Sequence, residues 1–248
     1  MIPARTTWVW SFSADWFFIP GRRQAKIVTT GLRRSVARLL GRRRQPSSKA
    51  DAELSFWQRR KEIEGTLSGP HYEAIFTTHF GLEQRFFAGQ RVLDIGCGPR
   101  GSLEWADMAA ERVGLDPLVD DYRELGIDTH AMDYVAAPAE RMPFATGHFD
   151  VVSALNSLDH VDDLKATAAE ITRVAKPGAT LLLIVEVGHE PTPTEPQSLG
   201  WNVADLFAGW ATIWQKRNAM HEEIYASLWA DDPYREGPGL LSARLTRN

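Results

Sequence analysis

From residue 91 onward the chain alternates between short apolar runs and longer mixed segments. RVLDIG (91–96) reads as a buried strand and SLEWADMAAE (102–111) as a helix. RVGLDP (112–117) predicts a second strand and LVDDYRELG (118–126) a second helix. DTHAMDYVAA (128–137) supplies a third strand, HFDVVSAL (148–155) a fourth, DDLKATAAEITRVA (162–175) a helix and ATLLLIVEV (179–187) a fifth strand. Nearly continuous apolar strands separated by helices describe an α/β fold, a parallel sheet covered on both faces. Near the C-terminus, WATIWQKR (210–217) and LLSARLTR (240–247) alternate like half-buried strands and predict an antiparallel edge pair. Upstream, residues 51–64 and 71–87 place Leu54, Phe56, Trp57 and Ile63, then Tyr72, Ile75, Phe76, Phe80, Phe86 and Phe87, as helical segments. Gly69-Pro70 breaks them apart.

The first fifty residues do not share this pattern. They hold eleven Lys/Arg against one acid, Asp15, about +10, whereas the remaining 198 residues carry about −14. The polar stretch QPSSKADA (45–52) marks the expected boundary between a basic segment (1–50) and a catalytic domain (51–248). Within that domain the core is 90–187, and 188–248 forms an acceptor-side and edge-strand region. In residues 22–44, Val28, Leu32, Val36 and Leu39/Leu40 recur at helical steps among arginines, a pattern suited to an anionic membrane surface. A solvated leader is the plainer alternative. Residues 1–20 are aromatic but too short, and interrupted by Asp15, to span a bilayer, and they fit a signal peptide poorly. The single cysteine, Cys97, excludes an internal disulfide and any multi-cysteine metal site. A cytoplasmic protein, peripheral on the inner membrane face if the basic segment binds there, is the expectation. The acidic domain makes nucleic acid a poor partner.

LDIGCGPRGS (93–102) carries the densest chemical signal. Gly96 and Gly98 after a strand let the backbone approach a ligand closely, and a helix starting beyond Gly101 would offer unpaired N–H groups. Asp116 ends the second strand, where a carboxylate can take both ribose hydroxyls. To this point NAD fits as well as any other adenosine ligand. Asp94 separates them, because a fixed carboxylate before the first glycine repels a pyrophosphate and suits a cationic amino group. The loop AERMPFATGHFDVV (139–152) can frame an adenine with Glu140 and nearby backbone.

Taken in order, LDIGCGPRG, VGLD, AERMPFATGHFDVVSALNSLDHV and RVAKPGATLLLI resemble the motifs of class I S-adenosylmethionine-dependent methyltransferases, in particular the small-molecule, ubiquinone-biosynthesis-like (methyltransferase type 11) branch. The resemblance spans about residues 90–187. It implies a Rossmann-like, doubly wound, seven-stranded mixed sheet of order 3-2-1-4-5-7-6 with a helical N-terminal extension, and S-adenosyl-L-methionine as cofactor, released as S-adenosyl-L-homocysteine. By resemblance, Asp94, Gly96 and Gly98 hold the methionine end, Asp116 the ribose and Ala139/Glu140 the adenine, while Asn156 lines the methyl-transfer site. Cys97, read as a small packing residue, and Pro117, beside Asp116, fall at the same pocket. Pro99-Arg100 departs from the family pattern; Arg100 is read as a salt-bridge residue or, alternatively, a contact to an anionic acceptor.

Transfer from a sulfonium mainly requires alignment, and a base is needed only for an acceptor such as an alcohol. Asp159 and His160, just past the fourth strand, are the candidates, since a histidine can take a proton near neutral pH. Shaping the pocket or capping the next helix is the alternative role for His160. The proline-rich EVGHEPTPTEP (186–196), with His189, Glu190 and Glu195, is expected to wall the acceptor site. Trp201 and Tyr72 are further acceptor-side candidates. No metal site is predicted, because His189 with one carboxylate is too thin a set. The expected acceptor is a small molecule or glycan, first a sugar hydroxyl of a surface-polysaccharide or glycolipid precursor and second a quinone or other lipophilic ring. A non-catalytic binding module and an NAD-dependent oxidoreductase are the rivals.

Overall fold

The computed structural model describes residues 48–221 and 224–248; the basic, amphipathic stretch 22–44 and the aromatic residues 1–20 lie outside them. Helix α1 (Lys49–Glu64) opens on Ser48, whose Oγ accepts from the Asp51 N–H, and stops at Gly65 with φ 79°. A short helix α2 (Tyr72–Ala74) runs on into a π turn (Ile75–His79). The sheet follows: β1 (Arg91–Ile95), β2 (Glu111–Leu115), β3 (Asp133–Val135), β4 (Phe149–Leu155) and β5 (Ala175–Val187). Helix α3 (Val119–Tyr122) follows β2 and α4 (Leu164–Val174) follows β4. Strand β6 (Trp210–Ala219), helix α5 (Ile224–Ala230) and strand β7 (Gly239–Arg247) complete the order.

The seven strands lie in the order β3-β2-β1-β4-β5-β7-β6, as the resemblance implies. Strands β1 to β5 are parallel, and β7 runs antiparallel to both β5 and β6. Alternation sorts each strand onto two faces. Leu93, Ile95, Val152, Ala154, Leu181, Leu183 and Val185 join the core that holds Ala168, Ile171 and Val174 of α4. Val92, Val151, Leu182 and Ile184 join a second core made with Tyr72, Ile75, Phe76, Phe80 and Phe87. Asp94 belongs to the second row, and the register places it beside Ser153 of β4. Among the described residues no helix is long and apolar enough to cross a membrane.

One predicted element is absent. Residues 102–110 form successive turns, with Glu104 N–H to Gly101 O at 3.1 Å and Ala106 N–H to Leu103 O at 3.1 Å, in place of a helix. The cause lies in the side chains. Arg112 donates to the Glu104 carbonyl (3.0 Å), which a helix would need for its own ladder. Trp105 is drawn against Phe87, ring centres 4.9 Å apart, and Ser102 turns inward onto Asp94. The helix N-terminus expected beyond Gly101 therefore contributes nothing to the loop.

Candidate active site

At the carboxyl end of β1 the chain takes the left-handed backbone three times, at Gly96 (φ 67°), Gly98 (φ 56°) and Gly101 (φ 67°). Gly96 has a second reason to lack a side chain. A Cβ there would lie 2.4 Å from the Ser157 Cβ, and Ser157 is pinned by its bond to the Ile95 carbonyl at 2.7 Å. Cys97 is buried, its Sγ packed where Gly114 of β2 leaves room, and burial pushes its thiol well up from the usual range. It packs, as read from the sequence.

Two carboxylates flank this loop. Asp94 is 3% exposed and accepts from Ser102 Oγ (2.5 Å) and Ser153 Oγ (2.6 Å). Asp116, 8% exposed at the end of β2, accepts from the Gly98 N–H (3.2 Å) and the Leu118 N–H (2.9 Å). Burial pushes both up to about 6, against the pull of those hydrogen bonds, and the Asp116 charge raises Asp94 further. Neither forms an ion pair with Arg or Lys among the described residues. Pro117 beside Asp116 is exposed.

Helical segments from both ends of the chain cover the loop. The Trp57 ring of α1 stands where a Cβ on Gly98 would come within 3.1 Å of it. Arg100 ties α1 to the loop: it donates to Glu64 Oε1 (2.7 Å) and to the Ser68 carbonyl (2.9 Å), and its guanidinium lies 5.5 Å from the centre of the Trp57 ring. Arg60 shares the same Glu64 oxygen at 2.5 Å. This is the salt-bridge role; the alternative contact to an anionic acceptor finds the guanidinium already engaged. Tyr72 is buried, its hydroxyl 3.2 Å from that of Tyr225 on α5, and the His71 ring lies tilted against both, 4.6 and 5.1 Å from their centres. Burial lowers His71 to about 4, so the ring is neutral at physiological pH. His71 beside Tyr72 was expected on this side, after Gly69-Pro70; Tyr225, Ser102 and Ser153 were not. The serine interrupting the apolar run VVSAL was a legible sign for Ser153; Tyr225 gave none, since a distant segment carries it.

On the other side of the β1–β4 junction, Asn156 directly follows β4 with φ 54°, an unusual backbone for a residue with a side chain. Beyond it a 3-10 turn (Leu158–His160) delivers Asp159 and His160. His160 Nε2 lies 3.9 Å from Asp159 Oδ1 and 3.9 Å from Glu195 Oε1; His189 Nε2 lies 3.8 Å from Asp159 Oδ2. Glu186 of β5 joins them, and burial pushes it up to about 7, with His189 pulling it down and Glu195 and Asp159 pushing it further up. Asn156 Oδ1, Asp159 Oδ2, Glu186 Oε1 and His189 Nε2 are all buried without a hydrogen-bond partner among the described residues. The acid inside the run LLLIVEV was a visible signal for Glu186 that went unread.

The other predicted site residues make contacts of their own. Glu140 spends Oε1 on the Asp162 and Asp163 N–H groups (2.7 and 3.1 Å), fastening the loop after β3 to the start of α4. Its neighbour Ala139 packs into the core beside α4. Trp201 lies against Tyr234, ring centres 4.4 Å apart, with Arg217 over its face at 5.1 Å, and its ring fills the space at Gly239. It packs, half-buried, against the β6–β7 pair. Glu190 has an exposed side chain, and its carbonyl accepts from His189 Nδ1 at 3.0 Å.

Comparison with known proteins agrees with this geometry. Residues 93–183 match the family described as a methyltransferase domain. Demethylmenaquinone methyltransferase of Renibacterium salmoninarum is 35% identical over 102 residues, 41% of this chain and 43% of that protein. Chloroplastic tocopherol O-methyltransferase of Arabidopsis thaliana is 30% identical over 177 residues, 63% of this chain and 51% of that protein. The chain thus spans about half the length, or less, of the curated relatives it matches. In three dimensions it is similar to the crystal structure of the cyclase SpnF, with a TM-score of 0.59 at 17% identity, covering 81% of this chain and 96% of that one. That likeness bears on the fold alone.

Proposed function

The chain contains a class I S-adenosylmethionine-dependent methyltransferase domain of the ubiquinone-biosynthesis-like kind, and from that premise we propose that it methylates a small lipophilic ring compound. The observation that carries this reading is the pair of buried carboxylates around the glycine loop. Two acids held at about 6 by burial, with no Arg or Lys against them among the described residues, favour a ligand that brings its own positive charge. An ammonium of S-adenosylmethionine meets that need, so the residues fit the cofactor. A dinucleotide would bring its pyrophosphate to Asp94 instead, which disfavours hydride transfer with NAD.

When bound, S-adenosylmethionine supplies an electrophilic methyl group on a sulfonium. In this reading Asp94, its two serine hydrogen bonds fixing its orientation, holds the ammonium. Asp116 keeps a free lone pair on each oxygen for the ribose hydroxyls. The loop at Ala139 offers backbone to the adenine, with Glu140 bracing that loop from behind. Asn156, held in its left-handed conformation, aims its unpartnered Oδ1 into the transfer site. Tyr72 and Tyr225 exclude water from above. His160, with its side chain 29% exposed between Asp159 and Glu195, takes the proton that the acceptor gives up on methylation.

The acceptor class leans on the relatives. Their names specify a demethylmenaquinone and a tocopherol, both lipophilic rings. A sugar acceptor has no counterpart there, and the covered Trp201 ring removes a feature that favoured one. Calorimetry with S-adenosylhomocysteine, then mass spectrometry of a demethylmenaquinone and a phenolic lipid after incubation with enzyme and cofactor, tests both levels. One added methyl on a ring lipid supports the reading. Absence of S-adenosylhomocysteine binding overturns it, and methylation of a lipid-linked sugar instead overturns the acceptor class.

A further inference from the structure

We propose that Asp159, His160 and Glu195 form a binding site for a divalent transition-metal cation, walled on its inner side by His189 and Glu186. One ligand atom from each of the three lies within 4.8 Å of those of the others. Chain order hides the set, because Glu195 arrives from the loop after β5 while Asp159 and His160 follow β4. The Gln197 N–H, bonded to the Asp159 carbonyl at 3.1 Å, fastens that loop over the turn.

The spacing suits a shared ion better than an ion-pair network. A histidinium between two carboxylates would close onto one of them at about 2.7–2.9 Å. Here His160 stands 3.9 Å from both, too far for a hydrogen bond to either. Ligands about 2.0–2.2 Å from one cation lie roughly 3–3.7 Å apart, so small side-chain rotations would complete the site. A second, independent observation points to a missing partner. Asp159 (2% exposed), His189 (8%) and Glu186 (7%) each bury a polar atom with no hydrogen-bond partner among the described residues. His189 Nε2 is turned toward the unpartnered Asp159 Oδ2, 3.8 Å away. One orphan is ordinary; two that face each other at 3.8 Å, with a third on the neighbouring strand β5, indicate a group that binds there.

The donor set selects the class of ion. Imidazole with carboxylates favours manganese, iron, cobalt or zinc over calcium or magnesium, which prefer oxygen alone. The site follows Asn156 by only three residues. Resting on the methyl-transfer reading, an acceptor hydroxyl in an open coordination position would lose its proton more readily, with His160 then a ligand and the proton passing to solvent.

The test uses the full chain, stripped with chelator and titrated with manganese(II) chloride by electron paramagnetic resonance, with S-adenosylhomocysteine affinity measured separately on each variant. One manganese per chain is expected. Glu195→Gln and His160→Gln should each weaken it at least tenfold while retaining S-adenosylhomocysteine binding, which also reports that the variants fold. Glu190→Gln, an exposed acid in the same loop, should leave it unchanged. No saturable manganese binding, or equal affinity in wild type, Glu195→Gln and His160→Gln, overturns the proposal. Manganese binding without S-adenosylhomocysteine binding in the wild type would sink the methyl-transfer reading and leave the cation site standing.

Discussion

The glycine loop and the acceptor side sit on adjoining strand ends, yet they treat buried charge in opposite ways. Around the loop each carboxylate oxygen of Asp94 and Asp116 already accepts a hydrogen bond from a serine or a backbone N–H. On the acceptor side Asp159, Glu186 and His189 keep buried atoms without a partner among the described residues. The first region is preorganised: its geometry is fixed before a ligand arrives, and only charge is missing. The second is unfinished, and a proton, an acceptor or a cation must complete it. Substitutions in the first should therefore cost stability or affinity, whereas neutralising the second should cost function while relieving the fold.

The largest expected effect is at Gly96. Gly96→Ala imposes a left-handed backbone on a residue with a side chain and drives its Cβ toward Ser157. Strain and overpacking together predict a loss of about 2–4 kcal/mol, read as a lower urea midpoint. Adding Ser157→Gly should return the overpacking part alone; full recovery would show that backbone strain is not involved.

Asp94→Asn comes next. It removes the charge but keeps the shape, so S-adenosylhomocysteine affinity should fall about 10–100-fold in calorimetry, while the ligand-free protein keeps its melting temperature within a few degrees. The same carboxylates set the pH dependence. Both have folded values near 6, above the unfolded 3.8, so the native state binds more protons between those limits. Stability of the ligand-free protein from this pair is thus highest below the window and declines as pH rises through it. Ligand affinity moves the other way, since an ammonium needs the ionised acid. Melting shifts on adding S-adenosylhomocysteine should be larger near pH 7.5 than near pH 5; equal shifts would mean that Asp94 and Asp116 do not meet the ligand's charge.

A smaller effect is expected at the clamp between α1 and the loop. Arg100→Met leaves Glu64 with Arg60 alone, so the loss should be about 1–2 kcal/mol, with faster proteolysis within α1 as the local readout. Unchanged proteolysis would show that the Trp57 contact suffices to hold the helix. The smallest predicted effect has the opposite sign. Glu186→Gln, measured near pH 8, should raise stability by about 0.5–1 kcal/mol by removing a buried carboxylate that lacks a partner, and should impair methyl transfer. A destabilised Glu186→Gln variant would erase the contrast between the two regions.

The sheet was legible because its signals are local and periodic. The apolar strands, Gly96 and Gly98 with their flanking acids, and the alternating edge pair each lie within one window of sequence, and the topology followed from the family resemblance. The segment 102–110 misled for the converse reason. Its helical spacing is genuine, but Arg112 takes a carbonyl the helix needed and Trp105 is held by Phe76 and Phe87 from another segment. The partners of Trp201 and Glu140 were hidden likewise, because neighbours remote in sequence supply them.

The sequence by itself determined where the cofactor's loop lies and which charge it would welcome, since a strand, a glycine turn and two acids are short-range facts. Only the tertiary structure decided what those acids bond to, that Arg100 is a clamp, that Tyr225 meets Tyr72 and His71, and that Asp159, His160, His189, Glu186 and Glu195 draw together. Those residues come from three segments, and their meeting depends on how β4, β5 and the following loop pack. No spacing along the chain encodes that convergence; the burial of the sheet's two faces produces it.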